Sequence, residues 1–200
     1  MGMADNLRRT GRRRYIETYE FPKALHVKLR EELGDSRAAD IALDGLRGWY
    51  LACLYADGRL IGMPSRAVDE AWHEMILMTR EYPRFCRRAF GRYLHHSPES
   101  ALDVPMDEML AETLVLVEAH DLPMVLFTAD TDAGLDDGRH YRGTDLQRLR
   151  ERAAAVEAWA WSRRRGGRST TGESSWAGFF GGGGCGGGGG CGGGGCGGGG

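Results

Sequence analysis

Two hundred residues with a formal charge of −2 at pH 7 carry neither the global basic field of a nucleic-acid binder nor the acidic excess that keeps chains unfolded. The final 35 residues from Gly166 hold 21 of the 32 glycines, which leaves about 165 residues to fold, the length of one domain with a substantial core. No window approaches the roughly 18 consecutive apolar residues of a spanning helix, and MGMADNLRRTGRRR lacks the apolar run of a signal peptide; no membrane insertion and a cytoplasmic location are expected.

Residues 1–14 form a basic segment whose Arg8, Arg9, Arg12, Arg13 and Arg14 have no interleaved aromatics, so it reads as a flexible, solvated N-terminus and not as a nucleic-acid site. An α-helical domain is expected over 15–165. Proline disfavours helix at the residue before it, so Phe21-Pro22 marks a break and a helix follows to about Leu33. Ser36 is a candidate N-cap for a core helix on which Ala39, Leu43, Leu46, Tyr50, Cys53 and Leu54 recur at helical spacing until Asp57-Gly58. Gly45 and Gly48 weaken its propensity, which points to close approach of another helix.

Ser65 caps a helix predicted from Arg66 to about Arg80, and a second runs from Glu81-Tyr82-Pro83 to Phe90, before Gly91. Pro105 to Ala119 reads as a helix with Asp107 and Glu108 in its first turn and Leu110, Leu114 and Val117 on one face. From His120 to Gly143 the composition turns to Asp, Gly and Thr and reads as a loop; Asp130, Asp132, Asp136 and Asp137 lack the glycine and terminal glutamate of a calcium loop. Thr144 then caps a helix to about Arg165, with Leu146, Leu149, Ala153 and Val156 as its stripe. No segment shows strand alternation, so the fold class is all-α, a small orthogonal multi-helix domain followed by a disordered Gly/Cys-rich tail over 166–200.

The chemistry-bearing residues concentrate between Val68 and Pro98. His73 lies at the edge of the apolar arc formed by Val68, Ala71, Trp72, Met75 and Ile76, with Asp69 one turn earlier to orient its ring. In the next helix Tyr82, Cys86, Ala89 and Tyr93 share a face, and His95-His96 stand where that helix ends. His73, Cys86 and one of His95 or His96 make a three-ligand set for a zinc or copper ion with an open fourth position, Asp69 acting as the outer group behind His73. Against this set, the spacings match no zinc finger or ribbon, adjacent histidines do not converge on one centre, and Cys86 faces an apolar stripe. A nucleophilic Cys86 with His73 as base needs an electropositive, partly open setting that Arg87 and Arg88, on other faces, do not supply. The balance favours a protein that is not an enzyme.

With Trp72-His73, then Tyr82, Cys86, Phe90-Gly91 and His95-His96-Ser97-Pro98 in this order, the chain resembles the glycine-rich domain-containing protein-like family over Gly62 to Pro98, with weaker likeness from Ile41 to Tyr55. The resemblance implies an all-α intracellular domain and no particular activity. The family's Trp-His-x-His pattern has Met75 at its second histidine here, a thioether that suits a soft ion such as copper(I) better than a harder one.

The tail places Cys185, Cys191 and Cys196 in glycine, a composition that behaves as a flexible coil. Its thiols are candidates for a soft metal or mixed disulfides, and Trp176, Phe179 and Phe180 for docking an unidentified protein partner. The sequence thus reads as an intracellular helical binding or scaffolding module with a tether. The alternative is a metal-binding protein or metalloenzyme using His73, Cys86 and His95 or His96.

Overall fold

The computed structural model describes residues 3–97 and 103–166. The chain divides into two units, Met1–Arg168 and Ser169–Gly200. The whole second unit, with Cys185, Cys191, Cys196, Trp176, Phe179 and Phe180, lies outside the described residues.

The fold is all-α: α1 (Met3–Glu17), α2 (Lys23–Leu33), α3 (Ser36–Ala56), α4 (Arg66–Leu77), α5 (Glu81–Ala89), α6 (Met106–Ala119), α7 (Val125–Asp132) and α8 (Gly143–Gly166), with no strand among the described residues. The first unit is organised around α3, against which α1, α2, α4, α6 and α7 pack. This helix ends as the sequence predicts, on Asp57 (φ 52°) and Gly58 (φ 87°). Its start differs slightly. Asp35, not Ser36, is the N-cap, its carboxylate accepting the Ala38 N–H at 2.8 Å. The close approach expected at the glycines occurs at Gly45, where an added Cβ would stand 2.3 Å from Val68 Cγ2 on α4; at Gly48 the nearest atoms, of Leu126 and Pro123, are at an ordinary 3.7 Å. Gly45 therefore sets how deeply α4 sits on α3.

Two segments depart from the sequence reading. The basic N-terminus expected to be flexible is helical from Met3, and α1 lies on α3 and α5. Ile16 is fully buried, and the guanidinium carbons of Arg9 and Arg13 each lie 5.9 Å from the Tyr55 ring centroid. Long arginine stems dock this helix where a count of charges suggests solvation. The stretch read as a loop over 120–143 contains α7, built on the buried Leu126, Phe127 and Ala129. Helix α8 begins at Gly143, and instead of Thr144 it is Asp145 that reaches back, accepting the Arg142 N–H at 2.9 Å. Salt bridges from Arg152 to Asp107 (3.2 Å) and Glu108 (2.5 Å), and from Arg150 to Glu118 (2.7 Å), hold α8 along α6.

The fully buried Asp130, on α7, closes the N-terminus of α4. Its Oδ1 accepts from Ser65 Oγ at 2.6 Å and the Ala67 N–H at 2.8 Å; its Oδ2 accepts from the N–H groups of Arg66 at 2.8 Å and Arg139 at 2.7 Å. Four donors on one carboxylate, three of them backbone amides and two of those at a helix N-terminus, compensate a buried charge that would otherwise be costly. Replacing Asp130 by Ala leaves these donors unpaired in a dry site. Asp130→Ala is expected to lower the unfolding free energy by about 3 kcal/mol or more, read as a shift in the urea midpoint.

His120, at the C-terminal end of α6, stacks on Tyr55 with ring centroids 3.8 Å apart. Burial, then the nearby Arg9, Arg59 and Arg13, pull its pKa below the ordinary 6.5. Because the folded form takes up a proton less readily than the unfolded one, the stability tied to this ring is complete above 6.5 and declines as pH falls through and below that value. Urea midpoints at pH 7.5 and 5.5 are expected to differ less in His120→Gln than in the native chain.

Candidate metal centre

The site is carried by α4 and the turn after α5. Ser65 caps α4, its hydroxyl accepting the Val68 N–H at 3.1 Å, so that the helix begins one turn before Asp69 and His73. Ala67, Val68, Ala71, Trp72 and Met75 are buried, which turns Asp69 and His73 toward the edge of the core. The helix stops at Leu77, short of the predicted Arg80, and α5 starts at Glu81. Gly91 (φ 75°) then lets the chain turn after α5.

A relay of hydrogen bonds anchors that turn. Trp72 Nε1–H donates to the Tyr82 hydroxyl at 3.0 Å, and the hydroxyl donates to the Leu94 carbonyl at 2.5 Å. Leu94 is thereby fixed against α4 and α5, and two residues later the His96 ring lies over Trp72 at 4.6 Å between centroids.

Asp69, His73 and His96 come together, each with a ligand atom within 4.8 Å of those of the other two. His96 Nε2 lies 3.3 Å from Asp69 Oδ1, and the two imidazoles are 4.4 Å apart between centroids. Two ligand atoms each about 2.0–2.1 Å from a tetrahedral ion are separated by about 3.3–3.4 Å. The Asp69–His96 contact has that spacing. His73 Nδ1 sits 2.9 Å from the Asp69 main-chain carbonyl. A carbonyl only accepts, so Nδ1 is the donor in this contact and Nε2 is the ring nitrogen not engaged by it. Both the backbone and the side chain of Asp69 face this nitrogen, the carbonyl at hydrogen-bond distance and carboxylate Oδ2 at 3.7 Å, and the carboxylate also reaches His96. His73 is exposed and the other two are half-buried, so the cluster opens to solvent.

The remaining candidates stand elsewhere. Cys86 is fully buried in the core, where burial pushes its thiol pKa up and keeps it neutral. Its neighbour Tyr82 is likewise held neutral by burial. His95 is exposed, its ring 4.7 Å from that of Tyr93. Met75, at the family's second-histidine position, has no exposed surface. Of the sequence candidates the structure gathers His73 and His96 beside Asp69, while Cys86 is in the core and His95 is outside the group. The i,i+4 spacing of Asp69 and His73 was visible in the chain, while the choice of His96 over His95 depends on the turn.

In class the described part is an all-α domain carrying a cluster of two histidines and one carboxylate between α4 and the turn after α5. Residues 11–160, which span this cluster and the helices that position it, match the UCP032817-like family, and the chain belongs to that family. Nothing in that match supports the glycine-rich domain-containing name. No curated protein and no solved structure matches the chain. Among the described residues no helix is long and apolar enough to cross a membrane.

The relay through Tyr82 makes a measurable contribution. Tyr82→Phe leaves the buried Trp72 N–H and Leu94 carbonyl without their partner, an expected cost of about 1–3 kcal/mol in urea unfolding. The His96 ring signals in an NMR spectrum are expected to broaden or shift as Leu94 loosens.

Proposed function

We propose that this protein is a helical binding module whose ligand is a divalent transition-metal ion held by Asp69, His73 and His96. The observation that carries the reading is the convergence of these three residues, with Asp69 and His96 donor atoms 3.3 Å apart and one ligand atom of each residue within 4.8 Å of the other two.

The donor chemistry favours zinc over copper(I). Two imidazoles and a carboxylate form a borderline to hard set, suited to zinc and neighbouring divalent ions, whereas the soft donors Cys86 and Met75 are sealed in the core. Three protein ligands leave a coordination position toward solvent for water or a small ligand. Free Cys53 and Cys86 thiols fit a reducing compartment and support a cytoplasmic setting for this role.

Elemental analysis of protein purified without a histidine tag tests the assignment. The native chain is expected to hold one zinc equivalent, and His73→Ala, His96→Ala and Asp69→Ala to lose it, each weakening binding by more than the roughly 10–100-fold that loss of an outer partner costs. Cys86→Ala is expected to retain the metal. Stoichiometric metal surviving in His73→Ala and His96→Ala, or no metal under any loading, sinks the reading.

A further inference from the structure

Helix α5 spends its inner face on Tyr82, Phe85, Cys86 and Ala89, and every fully exposed residue on it is an arginine: Arg84, Arg87 and Arg88. Arg80, exposed and helical in conformation at the N-cap, extends the row, so that Arg80, Arg84 and Arg88 stand one turn apart along one stripe with Arg87 beside it. The clustering is local, since the chain as a whole carries −2.

Little within the domain neutralises this stripe. Glu81 is the one carboxylate on α5, and it meets Arg84 at 3.5 Å across an exposed edge, where an ion pair contributes little. Arg88 lies over the Tyr15 ring of α1 at 5.0 Å, and the guanidinium groups of Arg80 and Arg87 have no partner among the described residues. Attraction to the negative helix end accounts for Arg87 and Arg88 in the last turn, but Arg80 and Arg84 stand at the positive end, where a cation is unfavourable. Like charges one turn apart also work against the helix. The N-terminal end of the stripe is apolar as well as basic. The Glu81 and Tyr82 amides donate back to the Met78 carbonyl at 3.0 and 2.9 Å, so the connection from α4 is tight and Leu77, 69% exposed, stands beside the start of α5. Tyr93, 41% exposed, packs its ring on that of Tyr82 in the first turn at 5.2 Å.

We propose that this face of α5 docks on an anionic lipid surface. Four guanidinium groups against one carboxylate make a basic cluster of the size that the negative surface potential of acidic lipids attracts. Leu77 and Tyr93 add what charge alone lacks, an aliphatic and an amphipathic side chain that can enter the headgroup layer while the arginines stay with the phosphates. The association is peripheral, because α5 has nine residues and no described helix is long and apolar enough to cross a membrane. A nucleic-acid strand fits less well, since its phosphates offer the exposed Leu77 nothing to bury against.

Co-sedimentation of the full chain at low salt with vesicles of equimolar phosphatidylcholine and phosphatidylserine tests the proposal. Binding is expected to these vesicles and not to pure phosphatidylcholine, and to fall as salt is raised. Arg84→Gln and Arg87→Gln are each expected to weaken it about five-fold, and Leu77→Ser, which leaves the charge unchanged, to weaken it by a comparable factor. Arg37→Gln, at an exposed position on α3, is expected to bind as the native chain does. All four side chains are exposed, so these variants leave the core intact. No binding to the acidic vesicles, equal binding to pure phosphatidylcholine, native binding in Arg84→Gln and Arg87→Gln or in Leu77→Ser, or equal weakening in Arg37→Gln would each overturn the assignment. So would displacement from the vesicles by a mixed-sequence single-stranded RNA or a glutamate-rich peptide, which would make that polyanion the partner.

Discussion

The buried carboxylate of Asp130 is the constraint on which the rest of this domain depends. A helix N-terminus that enters a core presents amide groups with no intrahelical acceptor, and α4 does so beside α3. Ser65 satisfies one of these amides, and Asp130 takes those of Arg66 and Ala67 together with the Ser65 hydroxyl. Because the same carboxylate also accepts from Arg139, it ties α7 and the chain after it to the start of α4. The Arg139 guanidinium reinforces the junction by donating to the Met63 carbonyl at 2.5 Å. Gly138 is needed there, as an added Cβ would stand 2.5 Å from Asp130 Cβ.

With its start fixed in this way and its depth set by Gly45 against Val68, α4 has little freedom of rotation. Its buried face is spent on Trp72 and Met75, so Asp69 and His73 are left at the boundary of the core. The turn after α5 is then located by the indole of Trp72 acting through Tyr82 on Leu94, which brings His96 to the same place. One aromatic residue thus serves the core with its ring and positions the third member of the cluster with its N–H.

What could be read from the sequence follows the range of the interactions involved. Helices α3 to α6 were legible because apolar spacing, Ser65, Pro83 and Asp57-Gly58 are local signals. Helix α1 was not, since its docking uses arginine stems around Tyr55 and so looks polar on any hydropathy pattern. Helix α7 is short, and its Asp and Thr residues resemble turn chemistry until Asp130 is seen to be the acceptor for another helix. Within the cluster the Asp69–His73 pair is a feature of one helical turn. The inward face of Cys86 beside Tyr82 was legible from helical spacing, whereas choosing between His95 and His96 requires the tertiary position of the turn.

The separation along the chain between Ser65 and Asp130, 65 residues, has a consequence for the order of assembly. Synthesis proceeds from the N-terminus, so α1, α2 and α3 exist before the group that completes α4 has been made. Until α7 and Arg139 arrive, the first amides of α4 compete for water, and closing so long a loop carries an entropic cost that only the finished junction offsets. The start of the helix bearing Asp69 and His73, in the first half of the chain, thus gains its full set of acceptors only once residues well into the second half have been made.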